Sequence, residues 1–263
     1  MNIIVFSKDR PLQLELFIRS FNKYVKDFDK YVINVLYTFS NINYKNGYNK
    51  LISMDYQNVK YIREYNFKQN LIELINGSNE YTVFFVDDNI FINNIDFNDN
   101  QSEIFKSDPD ILCRSLRLNP NLTYCYTEGV QMLKPYFIQN NIFHWRGQKG
   151  DFGYPMSLDG HIFRTGEILP YIINLDYYNP NLLEGKMAIR PLNLPKMICY
   201  DKSIIVNNPC NKVQNVNNNK HGNISVEELN NNFLNGYIIS TENTDGFENN
   251  ACHQEIEIIL KKE

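Results

Sequence analysis

Two hydrophobic rhythms alternate along the chain. Short unbroken apolar runs stop at polar turns, and longer stretches repeat an apolar residue every three or four positions. The first pattern marks a strand buried on both faces, the second an amphipathic helix. Asn2 to Ser7 opens as a strand. Pro11 then suits a first helical position, and Leu12, Leu16, Ile18 and Phe21 form a helical stripe. Tyr31 to Phe39 and Asn58 to Arg63 read as the second and third strands, with Phe67 to Ile75 a helix stopped by Gly77. The fourth strand is marked most strongly: Thr82-Val83-Phe84-Phe85-Val86 runs unbroken into Asp87-Asp88-Asn89. This alternation predicts an α/β fold, a single domain with a central, mostly parallel sheet flanked by helices and a C-terminal helical or irregular extension.

Further along, Asn93 to Lys106 reads as a polar loop, and Asp108-Pro109-Asp110 as the opening of a short helix through Leu118. Leu122 to Thr127 is expected as a strand. Ser157 to Arg164 is expected as another, carrying Asp159 and His161, with Thr165 capping a helix from Glu167 to Leu175. Asn179-Pro180-Asn181-Leu182-Leu183-Glu184 turns into a helix near Met187. Residues 207 to 223 are Asn-rich and read as a loop. Ser225-Val226-Glu227-Glu228 is a capping box for a helix to about Leu234, which Gly236 ends.

Composition narrows the partners. Thirty acids against 26 Lys and Arg give a net charge of −4, which offers no basic field to a nucleic-acid backbone. The five cysteines have no CxxC and no regular spacing, so they read as thiols in a reducing compartment rather than a zinc site. No basic segment precedes the first apolar run, and nothing approaches the ~20 apolar residues of a membrane span. A soluble, cytoplasmic protein without a transmembrane segment is expected, with its oligomeric state unread.

The chemistry lies at the end of the fourth strand. Ligands of open α/β sheets bind outside the carboxyl ends of the strands, where Asp87 and Asp88 stand; the competing reading is a solvated turn, for which Asp and Asn are ordinary residues. Neither GxxxxGK[ST] nor a GxGxxG after the first strand occurs. Without a glycine cradle, such a sheet would hold a diphosphate through a metal ion.

Three segments together resemble the GT-A fold glycosyltransferases, the nucleotide-diphospho-sugar transferases. Phe6-Ser7-Lys8-Asp9-Arg10-Pro11 is similar to the segment that contacts base and ribose, Val86-Asp87-Asp88-Asn89 stands at the place of the DxD motif, and Ser157–Arg164 with Asn179–Glu184 resembles the acceptor half. The resemblance implies a metal-dependent enzyme that moves a sugar from a nucleotide-sugar, a UDP-sugar by preference, to a saccharide or glycoconjugate with inversion. It implies a nucleotide-sugar half over residues 1–105, an acceptor half over 106–200 and an extension over 201–263. Ser7, Lys8, Asp9, Arg10 and Asp87 would bind the donor; Lys8 and Arg10 read equally as a solvated loop pair.

Mn²⁺ or Mg²⁺ would be held by Asp88, with Asn89 and His253. Asn89 stands where the motif usually has its second acid, and an amide adds no charge, so Asp88 is the preferred ligand. His253 also reads as a packed structural histidine. Glu184 is the first choice for the base; the alternative is a Glu favoured at a helix start by the dipole alone. Asp159 is the competing base, an acceptor for donor-sugar hydroxyls, or an acid before a turn glycine. Trp145 and Arg146 would shape the acceptor pocket. Two other readings stand beside this one: a catalytically weak or inactive nucleotide- or saccharide-binding module on the same fold, and a sugar-phosphate nucleotidyltransferase.

Overall fold

The computed structural model describes residues 1–211 and 224–263. Part of the Asn-rich stretch, 212–223, lies outside the described residues. The first half contains the four expected strands and two expected helices, with a further helix, α2, that was not among the expected elements: β1 (Asn2–Lys8), α1 (Pro11–Tyr24), β2 (Ile33–Thr38), α2 (Ile42–Ser53), β3 (Val59–Arg63), α3 (Phe67–Leu74) and β4 (Tyr81–Val86). After the acids come β5 (Asn89–Phe91), α4 (Asn100–Ser107), β6 (Ile111–Ser115), the short β7 (Tyr124–Cys125) and β8 (Val130–Gln131), and β9 (Ile142–His144). The chain continues through β10 (His161–Arg164), α5 (Thr165–Ile173), α6 (Pro180–Ile189), β11 (Lys196–Ile198) and β12 (Ile205–Asn207). It closes with α7 (Val226–Leu234), β13 (Tyr237–Ile239) and β14 (Leu260–Lys262).

Eight strands form the central sheet in the order β3-β2-β1-β4-β10-β6-β11-β9. The pairs β3–β2, β2–β1, β1–β4 and β6–β11 are parallel, whereas β10 runs antiparallel to both its neighbours and β9 to β11. Because β10 is reversed, its amino end meets the carboxyl ends of β1, β4 and β6 along one edge. Hydrophobic cores cover both faces: Phe17, Phe21, Phe85 and Phe91 on one side, and Phe6, Phe84, Phe163 and Phe67 on the other. Successive residues of β4 point to opposite faces, so an unbroken apolar run serves both layers.

Helix starts follow local chemistry. Asn41, Asn66, Asp99, Asn179 and Ser225 each cap a helix by accepting a backbone N–H. Gly236 follows α7 with φ +87°, the left-handed conformation glycine adopts freely. Several expectations need correction. The polar loop of 93–106 contains α4, started by the Asp99 cap. The helix expected from Asp108 to Leu118 is strand β6, all five residues of which are buried. Its apolar run is too short for periodicity to separate strand from helix, and pairing between β10 and β11 decides the matter. The expected strand from Ser157 starts only at His161, α5 begins at Thr165 itself, and α3 ends before Gly77 with Ile75 already extended. Trp145 packs against the second core and donates its indole N–H to Leu194 O at 2.7 Å. Neither it nor Arg146 lines the cavity described below.

Candidate active site

A cavity of about 730 Å³ opens at the edge where β1, β4 and β6 end. Ser7, Lys8 and Arg10 enter it from β1 and the turn into α1, Asp87 and Asp88 from the end of β4, and Asp159 from the turn before β10. Glu184 reaches it from the second turn of α6, and His253 from the C-terminal segment. Two expected residues are not among the lining. Asp9, at φ +59°, accepts the Ser40 N–H at 2.6 Å and the Ser40 hydroxyl, and so shapes the β1–α1 turn. Asn89 is buried, accepts the Val86 N–H at 3.0 Å and donates its amide to Asp159.

The donor side is built on the two adjacent acids. The Arg10 guanidinium donates to Asp87 Oδ1 at 3.1 Å and Asp88 Oδ2 at 2.9 Å, and also to the Asn211 carbonyl. Asp87 Oδ2 accepts from the Ser7 hydroxyl at 2.9 Å and the Lys8 N–H at 3.2 Å. Asp88 Oδ1 accepts from the Asn207 amide at 2.8 Å. Burial alone would lower the Arg10 pKa, but Asp88 and Asp87 outweigh it and the pKa rises.

Each of the expected metal ligands Asp88, Asn89 and His253 is engaged elsewhere: Asp88 with Arg10 and Asn207, and Asn89 and His253 with Asp159. His253 Nε2 lies 3.4 Å from Asp159, and the Asn89 oxygen is occupied by a backbone N–H. Among the described residues no three His, Cys, Asp or Glu side chains are grouped closely enough to hold a metal. As arranged, these residues do not fit a divalent cation.

The acceptor side rests on a residue that the sequence pattern did not single out. Arg117, just beyond the end of β6, donates to Asp159 Oδ2 at 2.9 Å and Asp151 Oδ1 at 2.6 Å, and all three are buried. Burial opposes ionisation of Asp159, but Arg117, His253 and the Asn89 amide prevail, so its pKa falls below the ordinary carboxylate value. Glu184 behaves oppositely. It accepts from the Ser157 hydroxyl at 2.9 Å and the Leu158 N–H at 3.0 Å, yet burial dominates and raises its pKa. Two carboxylates in one cavity are thus pushed apart, one held as an anion and one made more basic. Asn179 caps α6 through the Leu182 N–H at 2.9 Å and so sets the helix turn that carries Glu184. Gly160, at φ +71°, donates its N–H to Phe84 O and accepts the Leu116 N–H, pinning Asp159 between β4 and β6.

Arg117 escaped the sequence reading because the stretch before it was expected to be helical; only as a strand end does it fall on the ligand edge. Asn207 escaped because it lies in a compositionally biased stretch. β12 pairs with β5 and brings it to Asp88.

No family model matches the chain. It is 32% identical over 259 residues to the bifunctional glycosyltransferase pgtA of Dictyostelium discoideum, an alignment covering 83% of this chain and 33% of that protein. The chain therefore spans about a third of that relative's length. Among solved structures, Staphylococcus aureus TarS 1–349 in complex with UDP-GlcNAc aligns at 12% identity and a TM-score of 0.49, over 78% of this chain and 58% of that one. Mouse xyloside xylosyltransferase 1 aligns at 10% identity and a TM-score of 0.34, over 71% and 74%. No helix among the described residues is long and apolar enough to cross a membrane. With its mostly parallel sheet, the acids at the end of β4 and this curated relative, the chain has a GT-A-like glycosyltransferase fold.

Proposed function

We propose that the chain transfers a sugar, with inversion, from a nucleotide-sugar to a hydroxyl of a saccharide or glycoconjugate. The observation that carries this reading is the pairing of Glu184, with its raised pKa, and the donor-side residues Lys8, Arg10, Asp87 and Asp88 across one cavity. Glu184 takes the acceptor's hydroxyl proton as that oxygen attacks the anomeric carbon, and the bond to the diphosphate breaks on the opposite face. Asp159, kept anionic by Arg117, is a poor base and a good acceptor for hydroxyls of the donor sugar. Lys8 and Arg10 supply positive charge toward the leaving diphosphate. Ser7 and Asp9 act indirectly, by ordering Asp87 and the turn that carries Arg10. No step is assigned to Mn²⁺ or Mg²⁺, because the carboxylates that would hold the ion are already paired.

Residues 1–105 serve in this reading as the donor half and 106–200 as the acceptor half. The segment 201–263 completes the donor rim through Asn207 and His253. A UDP-sugar is the proposed donor. The test is a panel of UDP-, GDP- and CMP-sugars assayed for transfer and for slow hydrolysis. Turnover of a UDP-sugar that Glu184→Gln removes is the expected result. Nucleotide binding without turnover across the panel would instead make the chain a binding module, and pyrophosphate release from a nucleoside triphosphate and a sugar phosphate would make it a nucleotidyltransferase.

A further inference from the structure

Every carboxylate oxygen of the two acids after β4 already has a protein donor. Asp87 Oδ1 and Asp88 Oδ2 share Arg10 Nη1, Asp87 Oδ2 has Ser7 and the Lys8 N–H, and Asp88 Oδ1 has Asn207. Arg10 itself is only 8% exposed and is fixed from several directions. It stands immediately before Pro11 of α1, its N–H reaches the Tyr48 hydroxyl at 3.3 Å, and the preceding Asp9 is tied down by Ser40. Its second terminal nitrogen donates to the Asn211 carbonyl. A guanidinium cannot lose its charge in a protein, and its planar fork suits two oxygens at once. A divalent ion bound to the same two acids would need their oxygens at about 2.0–2.2 Å, and Arg10 Nη1 already stands within 3.1 Å of one and 2.9 Å of the other. Two cations cannot share that position without strong repulsion.

We propose that Arg10 is the resident cation of this site, occupying the place between Asp87 and Asp88 that a divalent ion would take, so that a nucleoside diphosphate binds without added metal. The nucleotide part of this inference rests on the donor-site reading above; the cation part does not. Arg10 and Lys8 both line the cavity, and in this proposal they supply the positive charge that a diphosphate there would meet.

Mn²⁺ titration of the purified chain, followed by electron paramagnetic resonance, tests the cation part directly. The wild type should bind no Mn²⁺ below millimolar concentration. Arg10→Gln, checked for folding by circular dichroism, should gain Mn²⁺ affinity by about tenfold or more as the acids are released, and a further Asp88→Asn should remove the gain. Micromolar Mn²⁺ binding by the wild type that Asp88→Asn abolishes would overturn the proposal, and this comparison stands even where Arg10→Gln does not fold. Calorimetry with UDP should give the same affinity within about twofold in EDTA and in Mn²⁺, whereas an increase of about tenfold with Mn²⁺ would also overturn it. No binding of UDP, GDP or CMP in either condition would sink the donor-site reading, and the Mn²⁺ titration would still decide the role of Arg10.

Discussion

Arg117→Met isolates what the buried ion pairs of the acceptor side contribute. Arg117 shares its guanidinium between Asp151 at 2.6 Å and Asp159 at 2.9 Å, with side chains only 4%, 3% and 8% exposed. Methionine keeps an apolar stem in place but leaves two carboxylates in a low dielectric without their cation. Removing one partner of a buried pair costs about 3–5 kcal/mol. At roughly 2–4 °C per kcal/mol for a chain of this size, the melting temperature should fall by roughly 6–20 °C. The pH dependence has a definite sign. In the wild type the folded pKa of Asp159 lies below its ordinary 3.8. Its ion-pair contribution is therefore complete above that unfolded value and is lost as pH falls through the lower folded one. In the variant, burial acts unopposed by Arg117 and raises the folded pKa, so the variant loses stability as pH rises from the unfolded value toward the new folded one. Adding Asp151→Asn and Asp159→Asn removes the stranded charges and should restore most of the loss. Urea and thermal unfolding between about pH 4 and pH 8 measure all of this. A loss below about 1 kcal/mol at neutral pH, or a triple variant no more stable than Arg117→Met, would refute the reasoning.

Glu184→Gln should lower kcat by about 10²–10⁴-fold. Melting temperature and nucleotide affinity should stay unchanged, since the amide oxygen can still accept from Ser157 and Leu158; retained turnover would remove Glu184 as the base. The acid limb of kcat/KM should lie above the ordinary Glu value of 4.5, because burial raises the Glu184 pKa and only the deprotonated form accepts a proton. A limb at or below 4.5 would contradict that assignment. Gly160→Ala would place a Cβ 2.2 Å from Ile205 Cδ1 at φ +71°, costing about 1–3 kcal/mol by chemical denaturation and disturbing Asp159 enough to raise KM for the donor. Asn179→Ala should cost about 1 kcal/mol through the lost cap and lower kcat by shifting Glu184; unchanged kinetics would separate the cap from catalysis.

The sequence by itself determined whatever short-range chemistry controls. β1 to β4 and the helices α1 and α3 were legible because apolar runs and helical stripes record burial locally. The cap at Ser225 was legible because a cap is a bond between near neighbours, whereas Asn179 to Glu184 read as a turn although Asn179 caps α6, which starts at Pro180. The acids after Val86 were readable as belonging to the ligand edge, since strand ends in a parallel sheet converge there. The short run Ile111 to Ser115 lacked the length to distinguish a strand from a helix turn, and only its place between β10 and β11 made it a strand. Tertiary structure alone decided which groups meet. Arg10 joins Asp87 and Asp88 across nearly eighty residues, Asn207 reaches Asp88 because β12 pairs with β5, and Arg117 holds Asp151 with Asp159. It also divided two chemically similar acids into opposite roles, because buried Asp159 is paired directly with the Arg117 guanidinium, whereas at Glu184, bonded to Ser157 and Leu158, burial outweighs every favourable partner. Charge balance in a cavity is a property of distances and dielectric, and neither is written in the order of residues.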